Sequence, residues 1–310
     1  MARRRRGRPV HGWIAVDKPA GMSSAAVVAR VRRLLDAAKA GHGGTLDPLA
    51  TGVLPIALGE ATKTVSFVMD GTKSYRFTVR WGEATDTDDA EGTVTARSDV
   101  LPAAAAVRAV LGEFLGTIDQ APPAYSAIKI GGRRAYRLAR EGAVVEMEPR
   151  AVRIDALELV ETPDELHAVF AVRCGKGAYM RSLARDIALR LGAVGHIVAL
   201  RRTKAGPFRE TEAISLASLE SLVHSAPPSA YLLAVETALD DIPALALNAA
   251  QADHLRHGRP VRVAGPEGRA FVDTSRLGEG DVLCAMADGR PVALARLEHG
   301  EIRPMRVLNI

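Results

Sequence analysis

The sequence predicts an α+β protein of two unequal domains, and three observations predict it. At 310 residues the chain is long enough for about two well-buried cores. Up to residue 241 strand-like runs and amphipathic helices are intermixed, which suits a mixed or antiparallel sheet flanked by helices. From Ala244 onward one short helix is followed only by short strands, as in a small β-rich module. The chain loosens at Ala226-Pro227-Pro228-Ser229. The boundaries expected are therefore a basic tail over 1–10, a main domain over 11–241 with an excursion at 119–142, and a β-rich domain over 242–310.

Taken in order, Gly12–Asp17 reads as a buried strand ending at the turn Lys18-Pro19-Ala20-Gly21. Ser23 or Ser24 caps a helix whose Val27, Val28, Val31, Leu34 and Leu35 recur at helical spacing. Gly41–Gly52 reads as a loop and Ala61–Met69 as a short helix. Residues 73–82 alternate, with Tyr75, Phe77, Val79 and Trp81 on one side, which predicts a strand with one covered face. Thr85–Gly92 is an acidic turn before a strand at Thr93–Ala96, and residues 102–115 are alanine-rich and helical. The excursion at 119–142 is polar and basic, interrupted by Pro122-Pro123 and Gly131-Gly132. Strands follow at about 150–160 and 165–174, then Tyr179–Leu191 begins extended and becomes a helix. Ile197–Leu200 reads as a strand and Ser215–Leu222 as a capped helix. In the small domain a helix over Ala249–His257 precedes strands at Pro260–Val263, Ala270–Asp273, Val282–Met286, Pro291–Leu297 and Met305–Leu308.

Composition narrows the function classes. Hydrophobic residues at 47% and charged residues at 25% are those of an ordinary globular chain. No run of eighteen apolar residues suggests a membrane span, and no apolar segment follows the basic N-terminus as a secretory signal requires. Cys174 and Cys284 lie far apart with no metal-ligand spacing, so reduced thiols in a cytoplasmic protein are expected. The net charge of +5 permits a polyanionic partner without demanding one. The positive charge gathers at Arg3–Arg8, Lys129–Arg140 and Arg201–Lys204. Each cluster alone reads as a solvated face; three of them on one chain would supply phosphate neutralisation to a nucleic-acid partner.

The run Gly41-His42-Gly43-Gly44-Thr45-Leu46-Asp47-Pro48-Leu49-Ala50-Thr51-Gly52 carries the most chemistry. Glycines admit close approach of a ligand and proline stiffens the turn, so one carboxylate, Asp47, is presented at a fixed place with His42 and Thr45 beside it. Residues His42 to Lys63 closely resemble the signature of the TruB family of tRNA pseudouridine synthases. The likeness continues in Lys73-Ser74-Tyr75, in the acidic turn, in the excursion, and in Cys174–Leu183. It implies a pseudouridine synthase catalytic domain followed by a PUA-like C-terminal domain. Carried over residue by residue, it implies that Asp47 is the nucleophile and that Tyr75 stacks on the target base. It further implies that Arg181 pairs with Asp47 and holds it ionised, with Tyr179 packed beside it. In an extended stretch Tyr179 and Arg181 would point to the same side. The excursion resembles the family's insertion that closes over the tRNA stem-loop. RNA contacts are expected from His42, Thr45, Lys129, Arg133, Arg134, Tyr136 and Arg140, and from Leu200, Arg201 and Arg202. The acidic turn lacks the glycine placement and final Glu of a calcium loop, so it is expected to be structural and no metal is predicted.

The activity implied is isomerisation of uridine 55 in the tRNA T-loop to pseudouridine. No redox change or group donor is involved, so no cofactor is expected. The partner implied is the T-arm stem-loop of tRNA, met by a monomer without accessory proteins and away from membranes. Two other readings use the same residues: a tRNA-folding chaperone, and the related guide-RNA-dependent synthase of ribonucleoprotein particles.

Overall fold

A ten-stranded mixed sheet is the frame of the computed structural model, which describes residues 7–126, 128–141, 147–263 and 277–310. Its chain runs β1 (Gly12–Lys18), α1 (Ser24–Leu34), β2 (Ala40–His42), β3 (Thr51–Leu58), α2 (Val65–Asp70) and β4 (Lys73–Trp81). A small hairpin of β5 (Glu83–Thr85) and β6 (Val94–Arg97), then α3 (Ala104–Val110) and β7 (Gly116–Gln120), lead to the excursion. That excursion holds β8 (Lys129–Ile130), β9 (Arg133–Arg134) and α4 (Ala135–Arg140). The domain closes with β10 (Arg150–Asp164), β11 (His167–Cys174), α5 (Met180–Arg190), β12 (Gly195–Ala205), β13 (Phe208–Arg209), β14 (Ile214–Ser215) and α6 (Leu216–Ser225).

The main sheet has the order β14-β1-β3-β12-β4-β11-β10-β7, with β2 on β3 and β13 on β12. One face carries α1 and α5, whose Val27, Val31, Leu183 and Ile187 are fully buried against Ile14, Leu54, Phe77 and Val79. The predicted alternation of β4 holds. Phe77 stacks on Phe170 at 5.1 Å between ring centres, and Trp81 meets the same ring edge-on at 6.4 Å. The opposite face, with Trp13, Val53 and Ala57, is covered by Val68 of α2, by Phe208 and by the turn Val235–Leu239. Ser23 caps α1 by accepting from Ala26 N, and Ser215 caps α6 by accepting from Ser218 N.

The C-terminal module contains β15 (Ala244–Ala246), α7 (Ala249–Arg256), β16 (Val261–Arg262), β17 (Val282–Ala287), β18 (Arg290–Glu298) and β19 (Glu301–Val307). Its five strands order β15-β17-β18-β19-β16 around a separate core of Leu245, Leu255, Leu283, Val292 and Ile302. The strand expected over Ala270–Asp273 lies outside the described residues, as do residues 1–6 of the basic tail.

The fold departs from the sequence reading at several strands. Only Thr51 and Gly52 of β3 fall in the expected loop and no strand is expected over 53–58, yet its eight residues form a central strand. A doubly buried strand reads as a plain apolar run without alternation. β7 and β15, short and mostly exposed strands, were not expected either. β12 continues through Arg201–Lys204, so the cluster read as a solvated face lies in the sheet. The helix expected over Ala61–Met69 is a 3-10 turn, Gly59–Lys63, followed by α2.

β3 and β12 run parallel, pairing Thr51 with Arg201 and Gly52 with Arg202. Gly52 has φ +95°, and a Cβ there would sit 2.2 Å from the carbonyl oxygen of Arg202. A Gly52→Ala substitution combines strain with a backbone clash and is expected to cost at least about 2 kcal/mol. The urea unfolding midpoint, at unchanged slope, measures it.

Candidate active site

Three buried side chains fix the loop that carries Asp47. Ser24, in the first turn of α1, accepts from Leu46 N at 2.8 Å and donates to Leu46 O at 3.0 Å. Lys18, fully buried at the end of β1, donates to Pro19 O at 2.8 Å, Met22 O at 2.6 Å and Pro48 O at 3.1 Å. Burial pushes its pKa down to about 8, against the attraction of Asp47 and Glu91. Arg202 reaches in from β12, donating to Val53 O at 2.8 Å, Gly44 O at 3.0 Å and Thr45 O at 3.4 Å. The backbone on both sides of Asp47 is therefore held while its carboxylate, about a third exposed, faces open space.

Arg181 Nε lies 3.0 Å from Asp47 Oδ2, and the Arg181 side chain is only 5% exposed. The Nε–H makes no aligned hydrogen bond, so charge rather than hydrogen-bond direction holds the pair. The guanidinium is fixed by donation to Thr87 O at 2.9 Å and Tyr125 O at 3.0 Å. Its Nη1 stands 3.5 Å from Asp89 Oδ2, a second and fully buried carboxylate. Asp89 also accepts from Thr87 Oγ1 at 2.6 Å and Glu91 N at 3.0 Å. The acidic turn, expected to be structural, thus packs against the Asp47–Arg181 pair and holds its guanidinium.

The electrostatics correct one expectation. Arg181 and Lys18 favour the ionised form of Asp47, but burial outweighs them and Asp89 adds like-charge repulsion, so the Asp47 pKa is raised. Geometry corrects another. Tyr179 is the extended residue before α5, whereas Arg181 is already in its first helical turn, so the two do not point the same way. Tyr179 borders a cavity of about 580 Å³ and Arg181 borders a second of about 600 Å³, with Asp47 on the wall of both.

The first cavity is aromatic and basic, with Tyr75, Tyr179, Lys73 and Arg202 on its walls. Burial raises the Tyr75 and Tyr179 pKa values, which keeps both phenols neutral. Gln120 brackets the main chain of Tyr179, accepting from its N at 2.7 Å and donating to its O at 3.1 Å. The second cavity has acidic and hydroxyl walls, including Asp86, Asp89, Glu91, Ser23 and Tyr125. His42 also borders it; burial, reinforced by Arg202, lowers its pKa, and its Nδ1 has no partner among the described residues.

Of the expected RNA contacts, Thr45 and Leu200 line the first cavity. Arg202 is 1% exposed and spends its donors on the nucleophile loop, so it is a structural clamp rather than a phosphate contact. Arg201 is half-exposed but already shared between Asp17 and Glu210. Arg133 is exposed and paired with Glu141 at 2.6 Å. The backbones of Lys129, Arg134, Tyr136 and Arg140 lie in β8, β9 and α4, and their side chains fall outside the description. Among the described residues no cluster of His, Cys, Asp and Glu is arranged to hold a metal.

Comparison with known proteins then decides the family. Residues 32–180 match the N-terminal domain of the TruB family of pseudouridylate synthases, and residues 181–240 match the C-terminal domain of tRNA pseudouridylate synthase B. The chain is 55% identical over 310 residues to tRNA pseudouridine synthase B of Rhodospirillum rubrum, covering all of both chains. It is 56% identical to the protein of that name from Gluconacetobacter diazotrophicus, over 99% of this chain and 100% of that one.

The chain belongs to the TruB family.

A crystal structure of a Cbf5–Nop10–Gar1 complex has a TM-score of 0.73 at 28% identity, covering 96% of this chain and 85% of that one. As a TruB-family pseudouridylate synthase the protein is an isomerase. The two TruB matches meet at 180/181, at the start of α5, and end together just before the second core begins. Sequence reading missed Lys18, Ser24, Asp89 and Gln120 as parts of this TruB site. For Lys18 the signal was its position, a lysine closing a strand that is apolar from Trp13 to Val16.

Two consequences are measurable. An Asp47 that reacts as its ionised carboxylate loses kcat/KM as pH drops through its raised pKa. The acid limb is expected above the ordinary aspartate value. Asp89→Asn removes the like charge and is expected to move that limb to lower pH in a pH–rate profile. Arg181→Met leaves Asp89 buried without its cation and is expected to cost on the order of 3–5 kcal/mol by denaturant titration.

Proposed function

We propose that this enzyme isomerises uridine 55 in the T-loop of tRNA to pseudouridine, with Asp47 as the nucleophilic carboxylate. The observation that carries the reading is the Asp47–Arg181 pair at 3.0 Å, set where an aromatic cavity meets a polar one. The names of the full-length relatives point to tRNA as the substrate. A uridine leaving its stack costs a few kcal/mol, least from a loop, and needs an apolar wall in place of its neighbours. Tyr75 supplies that wall. Its neutral phenol suits stacking on the base.

Once the base is seated, the N1–C1′ bond breaks, the uracil rotates, and C5 bonds to C1′. The C5 proton leaves and N1 ends protonated, so the atoms balance without a cofactor. Attack at C1′, attack at C6 and departure through a glycal all need the ionised carboxylate at this place. His42 occupies the gap the base vacates, and exposed cations of the excursion meet the phosphates.

The test is the pure chain on a synthetic T-arm stem-loop, followed by pseudouridine release or mapping. The enzyme is expected to act alone, as a monomer. Asp47→Asn is expected to lose on the order of 10⁴-fold in rate while retaining RNA binding. Undiminished conversion by that variant removes Asp47 from the chemistry, and activity that appears only with added proteins or a guide RNA refutes the stand-alone reading.

A further inference from the structure

The two cavities beside Asp47 share one strip of wall, the waist between them. Thr45, Leu46, Asp47 and Ser126 border both of them. Ser126 is 3% exposed, and its Oγ has no hydrogen-bond partner among the described residues. The hydroxyl lies beside the Tyr179 phenol without reaching hydrogen-bond geometry. A buried hydroxyl without a partner costs free energy unless a ligand or water supplies one.

The chemistry says which part of a substrate reaches the waist. Asp47 acts at the glycosidic bond, so the sugar–base junction has to sit against it, with the base in the aromatic cavity. The strand then continues toward the polar cavity. The hydroxyl nearest C1′ in a ribonucleotide is the one on C2′. A hydroxyl both donates and accepts, so two of them pair in either sense.

We infer that Ser126 contacts the substrate directly, its hydroxyl pairing with the 2′-hydroxyl of the target ribose. The waist would then read the sugar as RNA while the aromatic cavity reads the base. The inference rests on the proposed uridine isomerisation and adds to it a residue that selects ribose over deoxyribose.

The experiment compares wild type and Ser126→Ala on two T-arm stem-loops, one with uridine and one with 2′-deoxyuridine at the target position. On the ribose substrate Ser126→Ala is expected to lose about 10-fold in kcat/KM, the size of one lost hydrogen bond. On the deoxy substrate the two enzymes are expected to be equal, because the partner hydroxyl is already gone. Where deoxy turnover is too slow to follow, its inhibition constant against the ribose substrate gives the same comparison. Ser126→Cys keeps the volume and weakens the bond, so it covers the case in which alanine disturbs folding; an unchanged melting temperature confirms an intact protein. Equal losses on both substrates, or no loss on either, would overturn the assignment. Failure of the wild type on the ribose stem-loop is a different result and sinks the proposed function instead.

Discussion

A guanidinium buried in a protein interior has to be surrounded by negative charge and carbonyl oxygens, because bare desolvation of a cation is too costly to sustain. Arg181 meets that demand with four groups from three separate stretches of chain. Asp47 comes from the loop between β2 and β3, and Asp89 from the acidic turn after β5. The carbonyl of Thr87 belongs to the same turn and that of Tyr125 to the start of the excursion. α5 cannot seat its first turn unless all four arrive. Neighbouring bonds reinforce the convergence: Arg185 pairs with Asp88 at 2.9 Å and donates to Ala121 O at 3.0 Å, and Ser182 donates to the same carbonyl at 2.7 Å. The seating of α5 and the charge beside Asp47 therefore rest on one guanidinium. Burial, with the like charge of Asp89 beside it, leaves Asp47 more basic than an ordinary aspartate.

The rest of the domain keeps that pair still. The nucleophile loop leaves β2 and enters β3, and β12 lies parallel to β3, so Arg202 reaches back under the loop from the neighbouring strand. With Lys18 and Ser24 gripping the residues on either side, the Asp47 main chain is immobilised by cations and a hydroxyl that never meet solvent. Such preorganisation places the reacting group before the substrate arrives, so little has to be reorganised during reaction. It also explains why a cluster as basic as Arg201–Lys204 contributes so little free positive charge: one arginine faces inward and the next is shared by two acids.

Much of this was legible in the residues, for identifiable reasons. Period-3.6 spacing in α1 and period-2 alternation in β4 survive into the fold because each element has one wet and one dry face. Ser23 shows as a cap because its chemistry is local. β3 was hidden because both of its faces are dry, and its glycine-rich approach masks its start. Arg202 was misjudged because composition records charge but not direction; only the register of β12 against β3 turns it inward. Asp47 stood out through its glycine- and proline-rich loop, but its pairing with Arg181 was reachable through family resemblance alone, as 134 positions of chain separate them and no local pattern links them. Asp89 was visible as an acidic turn, but its function depends on where α5 is anchored. Ser126 gave no signal at all, since an unpaired hydroxyl is a property of its surroundings.

The C-terminal module is tied to the same framework. Its Leu294 and Cys284 pack on Leu239 with Phe67 beside them. Lys63, in the turn directly after β3, donates to Val307 O at 2.7 Å, and Glu60 of that turn accepts from Asn309 N at 2.9 Å. Glu60 and Lys63 also pair with each other, and these contacts hold the Glu60 carboxyl below its usual range despite the cost of burial. The strand that begins at the Asp47 loop thus ends at the docking point of the second core, so one buried strand, rather than a flexible linker, sets the distance between them.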